Sequence, residues 1–409
     1  MERGRIVTLV LVDEEGEPLG STEPFPVAEP WWPETGPIHD AVAERFGDRL
    51  RIDAVLRLLL AEPDPDEPMG GRVTYAAVGA ADHEAGLTPT AADELALLAP
   101  ATHRLPWAEP FGPATDLAWV AQRVEVIGPP RQHRSWNLSA VWSIPTAKGT
   151  VWLKCLPPFL AHEPVLLDRL SAWLAADDPI AGTQPRLVTP ELLAADDHRV
   201  LLAPLPGEDG YRADDDEQVA MITTLVDIQA TTVDRVDELV DAGVPDLRAA
   251  PLAAELTALV TRVGPDRPAL LELIDGLEAR LDQVARLSPP DSLVHGDPHP
   301  GNARRLVEPP VWFDWGDAFV GNPLLDLAAT HRLGPVAVEA WLAALVERWP
   351  GCDPGRALDL LAPVAALRQA WVYQRFLDGI ESTEHVYHCD DVGEALDATE
   401  AILARRADG

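Results

Sequence analysis

Hydrophobic residues recur along this chain in two patterns, one typical of strands and one typical of helices, which together predict a mixed α and β protein. Residues 5–12 (RIVTLVLV) are apolar and rich in β-branched side chains, which is typical of a buried strand. Apolar residues at positions 38, 41, 42 and 46 have helical spacing, and Gly47 can end that helix. Similar patterns predict strands at 52–60, 72–78, 120–127, 136–144 and 150–156, and helices at 91–98 and 163–175. From about residue 214 onward the pattern is largely helical.

A stretch rich in proline and glycine, residues 106–113, interrupts these patterns and predicts a domain boundary. The length of 409 residues suits two or three domains. We therefore predict a small α/β domain at 1–110, a β-rich domain at 115–204 and a helical domain at 205–409.

Composition narrows the classes of function. The formal net charge is −35, and a chain this acidic repels phosphate backbones and anionic lipid heads, which disfavours binding to nucleic acid or a membrane. Three widely separated cysteines suit neither a disulfide framework nor a zinc site. We see no signal-peptide pattern and no apolar run of the roughly 18 residues that a membrane span needs, so we expect a cytoplasmic protein.

The strongest chemical signal lies in residues 292–302 (SLVHGDPHPGN) and 311–317 (VWFDWGD). Phosphoryl transfer needs a carboxylate beside the attacking hydroxyl group and hard oxygen ligands for Mg²⁺. Asp297 follows a short apolar strand, and Asn302 lies five residues later across a Pro-Gly bend, so one loop can direct both side chains to one region. Asp314 follows a second apolar strand and can supply a third oxygen ligand. Ordinary turn chemistry is the alternative for all three residues.

This two-part motif resembles the catalytic core of the aminoglycoside phosphotransferase family, which has a protein-kinase-like fold. The resemblance implies an α+β, bilobal phosphotransferase with a small β-rich lobe and a larger helical lobe, preceded by the small N-terminal α/β domain. It implies that Asp297 is the catalytic base, that Asn302 and Asp314 bind Mg²⁺, and that ATP or GTP is the phosphoryl donor. His295 would be a structural member of the catalytic loop.

Kinase-like folds pair a strand lysine with the nucleotide phosphates and with a carboxylate from the next helix. The chain has thirty arginines but only two lysines, which suggests that a retained lysine does something a planar guanidinium cannot. Lys154 lies in an apolar strand and fits the phosphate role, and Glu163 fits the role of its partner. The alternative for Lys154 is an edge-strand lysine that faces water.

Two further segments follow from the resemblance. The loop that would cover the phosphates, residues 128–139, has no glycine-rich pattern, and Ser135, Asn137 or Ser139 could donate hydrogen bonds to phosphate there. Residues 201–207 would form the hinge between the lobes, where backbone groups of Ala203 to Leu205 would contact adenine.

The N-terminal residues 1–80 faintly resemble a Nudix-type fold. Only Glu44 remains of the glutamates that a Nudix enzyme needs on its metal-binding helix, so we predict no hydrolase activity for this region.

These observations predict an enzyme that moves the γ-phosphoryl group of a nucleotide triphosphate to a hydroxyl group of a small molecule. Residues 205–285 contain eighteen acids and six arginines, which favours a cationic acceptor such as an aminoglycoside or amino sugar. A non-catalytic nucleotide-binding regulatory module, a protein kinase and an interaction protein acting through its N-terminal domain are the alternatives. The missing glycine-rich loop argues against a protein kinase.

Overall fold

The computed structural model describes residues 4–64, 67–176, 189–329 and 333–407. These residues form two compact units. Unit 1 contains the chain up to Phe159, Leu193–Pro204 and Phe376–Cys389. Unit 2 contains Leu160–Leu192, Leu205–Arg375 and the chain from Asp390 onward. Unit 1 thus combines the predicted N-terminal domain with much of the predicted β-rich domain, and the boundary at residue 110 stays a prediction.

The elements follow the predicted mixture of strands and helices. The strands are β1 Arg5–Val12, β2 Pro18–Ser21, β3 Phe25–Val27, β4 Leu50–Asp64, β5 Glu67–Ala81, β6 Arg131–Trp136, β7 Ser139–Thr146, β8 Gly149–Cys155, β9 Leu192–Ala195, β10 Arg199–Leu202, β11 Glu208–Asp209, β12 Asp246–Leu247, β13 Ser292–Val294, β14 Ala303–Arg305, β15 Val311–Trp312 and β16 Phe319–Gly321. The helices are α1 Gly36–Phe46, α2 Ala92–Leu98, α3 Gly112–Ala121, α4 Glu163–Ala176, α5 Asp215–Thr232, α6 Val236–Asp241, α7 Ala249–Val263, α8 Pro268–Asp275, α9 Leu277–Leu287, α10 Leu324–Ala329, α11 Pro335–Arg348, α12 Pro354–Gly379 and α13 Asp391–Ala407.

Unit 1 is built on two sheets. In the first, the strand order is β2-β1-β5-β4, with β3 also paired to β1, and β1 runs parallel to β5. In the second, the order is β6-β7-β8-β10-β9, and the described pairs of β8 are antiparallel. Buried side chains of both sheets and of α3 belong to one hydrophobic cluster, which includes Val10, Ala54, Trp119 and Trp142. Burial of this shared apolar surface holds the two sheets of unit 1 together.

The prediction of a strand at 120–127 is wrong. The chain forms α3 up to Ala121, and beyond it only Val126 makes an isolated bridge, to Thr146. The apolar run Leu117 to Val120 has no clear period, whereas Pro113 in the first turn favours a helix. The predicted phosphate-covering loop, residues 128–139, is also shorter than expected, because β6 takes up most of it and Asn137-Leu138 forms a tight turn.

A buried ion network joins segment 376–389 to the rest of unit 1. Glu381 accepts from Arg57 at 2.8 Å and from Arg104 at 2.7 Å, with all three side chains at most 4 % exposed. Glu384 lies beside this network and accepts from the backbone N–H of Leu58 at 3.3 Å. Burial, together with the neighbouring charge of Glu381, raises the pKa of Glu384 to about 8. Glu381 therefore forms ion pairs with both arginines, while Glu384 is protonated at neutral pH.

Unit 2 is mostly helical and holds two small sheets. In one, β13 pairs antiparallel with β16, which in turn pairs parallel with β12. In the other, β14 lies between β11 and β15. The predicted strand ending at Val294 and the predicted helix beginning at Glu163 are both confirmed. In the described part of the chain, no helix is both long and apolar enough to cross a membrane.

We expect Glu384→Gln to remove a pH dependence of stability. Between about pH 4.5 and 8 the folded protein binds one proton more than the unfolded chain, so the free energy of unfolding falls as pH rises, by at most about 1.4 kcal/mol per pH unit. Glutamine keeps an oxygen for Leu58 but cannot ionise, so the variant should match the wild type near pH 5 and exceed it at pH 9.

Urea unfolding at several pH values measures this difference. Glu62→Gln is the matched control, since it makes the same chemical change at an exposed position of β4. Parallel curves for wild type and Glu384→Gln across this range would contradict the prediction.

Candidate active site

The predicted catalytic residues lie in a tight turn that follows β13. The Asn302 amide nitrogen donates to the Asp297 backbone oxygen at 3.0 Å and to Asp297 Oδ2 at 3.2 Å. Asn302 is 8 % exposed, whereas the Asp297 side chain is 56 % exposed. The turn therefore fixes one carboxylate oxygen of Asp297 by a hydrogen bond and leaves much of the side chain accessible to solvent.

A buried carboxylate fixes the start of this turn. Asp326, in the first turn of α10, accepts from the backbone N–H of Gly296 at 2.8 Å and of His295 at 3.0 Å. Gln229 on α5 donates to the same carboxylate at 3.0 Å. Burial raises the pKa of Asp326 to about 6, although these hydrogen bonds favour its charged form. Asp326 therefore sets the backbone direction immediately before Asp297.

His295 is a structural member of the same turn. It is fully buried between Trp312 and Trp315, with ring centroids 5.3 and 4.4 Å away, and its Nε2 lies 3.1 Å from the backbone oxygen of Phe313. Because a carbonyl can only accept, Nε2 carries the proton. Burial lowers the pKa of His295 to about 4, so the ring is neutral at pH 7. This role is the one that the sequence suggested.

Asp314 is brought to the turn by backbone pairing. The N–H of Phe313 donates to the backbone oxygen of Asn302 at 3.0 Å, so the residue before Asp314 is bonded directly to Asn302. Asp314 itself has the left-handed conformation, with φ 64° and ψ 59°. That conformation is uncommon outside glycine and is better tolerated by aspartate than by most residues, and it turns the chain sharply after β15.

Glu163 supports the Asp314 turn from α4. Its Oε1 accepts from the backbone N–H of Trp315 at 3.0 Å, and Glu163 is buried. The Trp315 indole in turn donates to the backbone oxygen of Trp312 at 3.0 Å. Glu163 was predicted as a partner of Lys154. The pairing with Lys154 stays a prediction, and the sequence did not indicate the contact to Trp315.

Two features around Asp297 complete the site. His299 Nδ1 accepts from the N–H of Gly301 at 3.0 Å, and its Nε2 lies 3.6 Å from Asp297 Oδ2. Gly296 has φ 90°, and a Cβ there would lie 2.1 Å from the backbone oxygen of Asp317. The Asp297 turn and the turn that contains Asp317 can approach this closely only because residue 296 is glycine.

The remaining residues, which the sequence predicts to contact the nucleotide, lie mostly in unit 1. Lys154 is half-buried in β8 and pairs with Val141 on one side and Val200 on the other, so it is not on an edge strand. Ser139 accepts from the Trp136 indole at 3.1 Å, whereas Ser135 is fully buried and donates to the backbone oxygen of Leu56 at 2.8 Å.

The predicted hinge residues follow β10 in an irregular segment. Ala203 is buried and belongs to unit 1, and the division between the units falls after Pro204, so Leu205 begins the next part of unit 2. The adenine contact assigned to these residues stays a prediction.

Comparison with known proteins shows which family the chain belongs to. The model of the phosphotransferase enzyme family matches residues 146–360, which is more than half of the chain and includes the whole turn described above. The chain belongs to the phosphotransferase enzyme family. The resemblance that the motifs indicated is thereby confirmed. No curated protein matches the chain.

Several solved structures are similar to this chain. The GDP and kanamycin complex of APH(2")-IIia is 14% identical, with a TM-score of 0.50 over 71% of this chain and 98% of that chain. Macrolide 2'-phosphotransferase MphH from Brachybacterium faecium is 18% identical, with a TM-score of 0.48 over 70% of this chain and 96% of that one. Choline kinase from Cryptosporidium parvum Iowa II is 9% identical, with a TM-score of 0.46 over 71% and 96%.

Membership of the phosphotransferase family confirms the predicted α+β, protein-kinase-like fold class. It also confirms that the chain is a phosphotransferase of small molecules, with a hydroxyl group as the acceptor. The roles of individual residues stay predictions.

The sequence indicated the residues of the turn but not what holds them. Asp326 was interpreted as a carboxylate at a helix N-terminus, and its contacts with His295 and Gly296 were missed. Those contacts span about thirty residues. In the sequence, the signal for these contacts was an aspartate that follows a Pro-Leu-Leu run.

We expect Gly296→Ala to disrupt the site. The new Cβ would overlap the Asp317 carbonyl and would require φ 90°, so either the protein loses about 2 kcal/mol or more of unfolding free energy or the two turns move apart. Urea unfolding and phosphotransfer activity measure the two effects. Gly276→Ala, where the nearest atom lies 3.7 Å from the added Cβ and φ is negative, is the matched control. Equal stability and activity for both variants would contradict the prediction.

Proposed function

We propose that this phosphotransferase moves the γ-phosphoryl group of ATP or GTP, with Mg²⁺, onto a hydroxyl group of a small molecule. The observation that carries the proposal is the contact between the Asn302 amide and the Asp297 carboxylate at 3.2 Å. It supports a single turn that supplies both a base and a metal ligand, which is the pairing that phosphoryl transfer requires.

Asp297 acts as the catalytic base. Its carboxylate is more than half exposed, so an incoming hydroxyl group can donate to it, while Asn302 limits its rotation. As the hydroxyl oxygen forms its bond to phosphorus, its proton passes to Asp297, and the bond from phosphorus to the nucleoside diphosphate breaks. Asp326 contributes by holding the backbone on which Asp297 is mounted.

Asn302 and Asp314 fit a magnesium site by their chemistry. Both offer hard oxygen atoms, and the Asn302 amide has its nitrogen bonded to Asp297, which leaves the oxygen of the same group for a cation. Within the described ranges, no group of three or more His, Cys, Asp or Glu side chains is arranged to hold a metal ion. Magnesium in kinase-like sites is bound by one or two protein ligands together with substrate phosphates, whose negative charge it neutralises.

On the nucleotide side, we assign Lys154 to the phosphates, with Glu163 as its carboxylate partner. The position of Lys154 in a central strand supports this role, because a half-buried ammonium there needs a charged partner. Ser139 is a candidate donor to phosphate, and backbone groups of Ala203 and Leu205 are candidates for adenine. Ser135 is not a candidate for this contact, because its hydroxyl group donates to the backbone oxygen of Leu56. The GDP bound to the similar APH(2")-IIia structure supports a purine nucleotide as donor.

The proposal is tested with Asp297→Asn. The variant keeps the shape of the side chain but cannot accept a proton, so we expect kcat to fall by about 10²- to 10⁴-fold while Mg-ADP binding, measured by calorimetry, stays the same. Asp282→Asn, an exposed position on α9, is the matched control and should keep full activity. Wild-type protein that binds Mg-ADP but turns over no acceptor would instead favour a non-catalytic nucleotide-binding regulatory module.

We further propose a positively charged acceptor, such as an aminoglycoside or amino sugar. The excess of acids in residues 205–285 supports it, as does the kanamycin in the APH(2")-IIia complex. We expect amino sugars to have a lower KM than uncharged sugars of the same size, with a difference that shrinks as salt is added. Steady-state kinetics on matched pairs measures this. Equal KM values at low salt would exclude the charge preference.

A further inference from the structure

Arg368 is a buried cation whose guanidinium group has no ion-pair partner among the described residues. It lies on α12 and is 3 % exposed, and its Nε has no hydrogen-bond partner. Across the ranges that the structure describes, no hydrogen bond or ion pair of its guanidinium group is found. Buried arginines are almost always paired, since an unpaired guanidinium loses its hydration without compensation.

The position of Arg368 connects it to the catalytic turn. Its guanidinium carbon lies 4.2 Å from the centroid of the Phe319 ring. Phe319 is paired across the sheet with Val294, the residue that leads into His295. Two residues before Phe319, the backbone oxygen of Asp317 is the atom that Gly296 approaches. Arg368 therefore packs on the strand pair from which the Asp297 and Asp317 turns both emerge.

The nearby carboxylates do not neutralise Arg368 by direct contact. Asp326 is buried, but it already accepts from His295, Gly296 and Gln229. Burial lowers the pKa of Arg368, while the charges of Asp317, Asp326 and Asp297 act in the opposite direction. The guanidinium group thus remains a cation with N–H donors available for a ligand. The negative charge of Asp297 favours this charged form.

We propose that Arg368 binds an oxyanion during the reaction, either the phosphoryl group in transfer or an acid group on the acceptor. A guanidinium group offers a planar fork that matches two oxygens of a phosphoryl or carboxylate group. Held on α12 and stacked on Phe319, the fork needs little reordering when the oxyanion arrives. This inference rests on the proposed function of the Asp297 site and adds a positive group to it.

The first test uses inorganic phosphate and the nucleotide-free full chain. We expect phosphate, titrated by calorimetry, to bind wild type and the R356Q control with equal affinity and R368Q about tenfold more weakly or worse. Arg356 is an exposed arginine on the same helix, so R356Q removes the same charge. R368K keeps the charge but not the planar fork, so its affinity for phosphate should fall between those of wild type and R368Q. If R368Q fails to fold, the comparison of R368K with wild type still tests the inference.

The second test identifies the source of the oxyanion. Aluminium fluoride mimics the phosphoryl group in transfer, and it should raise the affinity of wild-type protein for Mg-ADP. If R368Q loses that gain but binds Mg-ADP alone normally, the oxyanion is the transferred group. If R368Q keeps the gain but shows a raised KM for an acidic acceptor, the oxyanion belongs to the acceptor.

Unchanged phosphate binding, fluoride gain and kinetics in R368Q would overturn the inference, since Arg368 would then be a structural charge. An unchanged or raised melting temperature in a kinetically impaired R368Q would support it. Failure of wild-type protein to bind Mg-ADP would count against the proposed function, and the phosphate titration would still judge Arg368 independently.

Discussion

The candidate site depends on the hydrogen bonds that the carboxylate of Asp326 accepts. It receives two consecutive backbone N–H groups, those of His295 and Gly296, and these are the residues that set the direction of the chain into Asp297. Burying a carboxylate is costly, and three donors compensate only in part, as the raised pKa of Asp326 shows. An apolar residue would avoid that cost but would leave the buried N–H of His295 and the partly buried N–H of Gly296 without this acceptor. The second penalty is the one that this fold avoids.

The turn could be predicted from the sequence because its signals are local. An apolar strand, a glycine, an acid and an asparagine across a Pro-Gly bend all fall within eleven residues, and each restricts the backbone by itself. The same local reasoning failed at 120–127, where an apolar run lacks a period and the start of α3 lies several residues upstream. A short apolar run can form either a strand or a helix, and the packing of α3 in unit 1 decides between them.

Partners in space could not be predicted from the sequence. Glu163 is bonded to Trp315, 152 positions away, and Ser135 to Leu56, 79 positions away. The sequence indicated that both residues would form polar contacts, and it placed Glu163 at the start of a helix. It could not say that Ser135 would be committed to the first sheet of unit 1, because residue type restricts the chemistry of a contact and not its distant partner. The Ser135 hydroxyl group, which the sequence suggested as a donor to phosphate, instead donates to Leu56 inside the core.

The net charge of the chain likewise says little about where single charges lie in the fold. Most of the acids that make up the net charge of −35 lie at the surface, where salt screens them beyond about 8–10 Å. Such a field raises the rate at which cations arrive, but it discriminates weakly between molecules that have entered the site. Arg368 is buried, so the charge that we propose for oxyanion binding is screened less than a charge at the surface. Under the two proposals, attraction toward the protein and selection within the site would be controlled by charges of opposite sign, and the second would depend on a residue that composition alone does not single out.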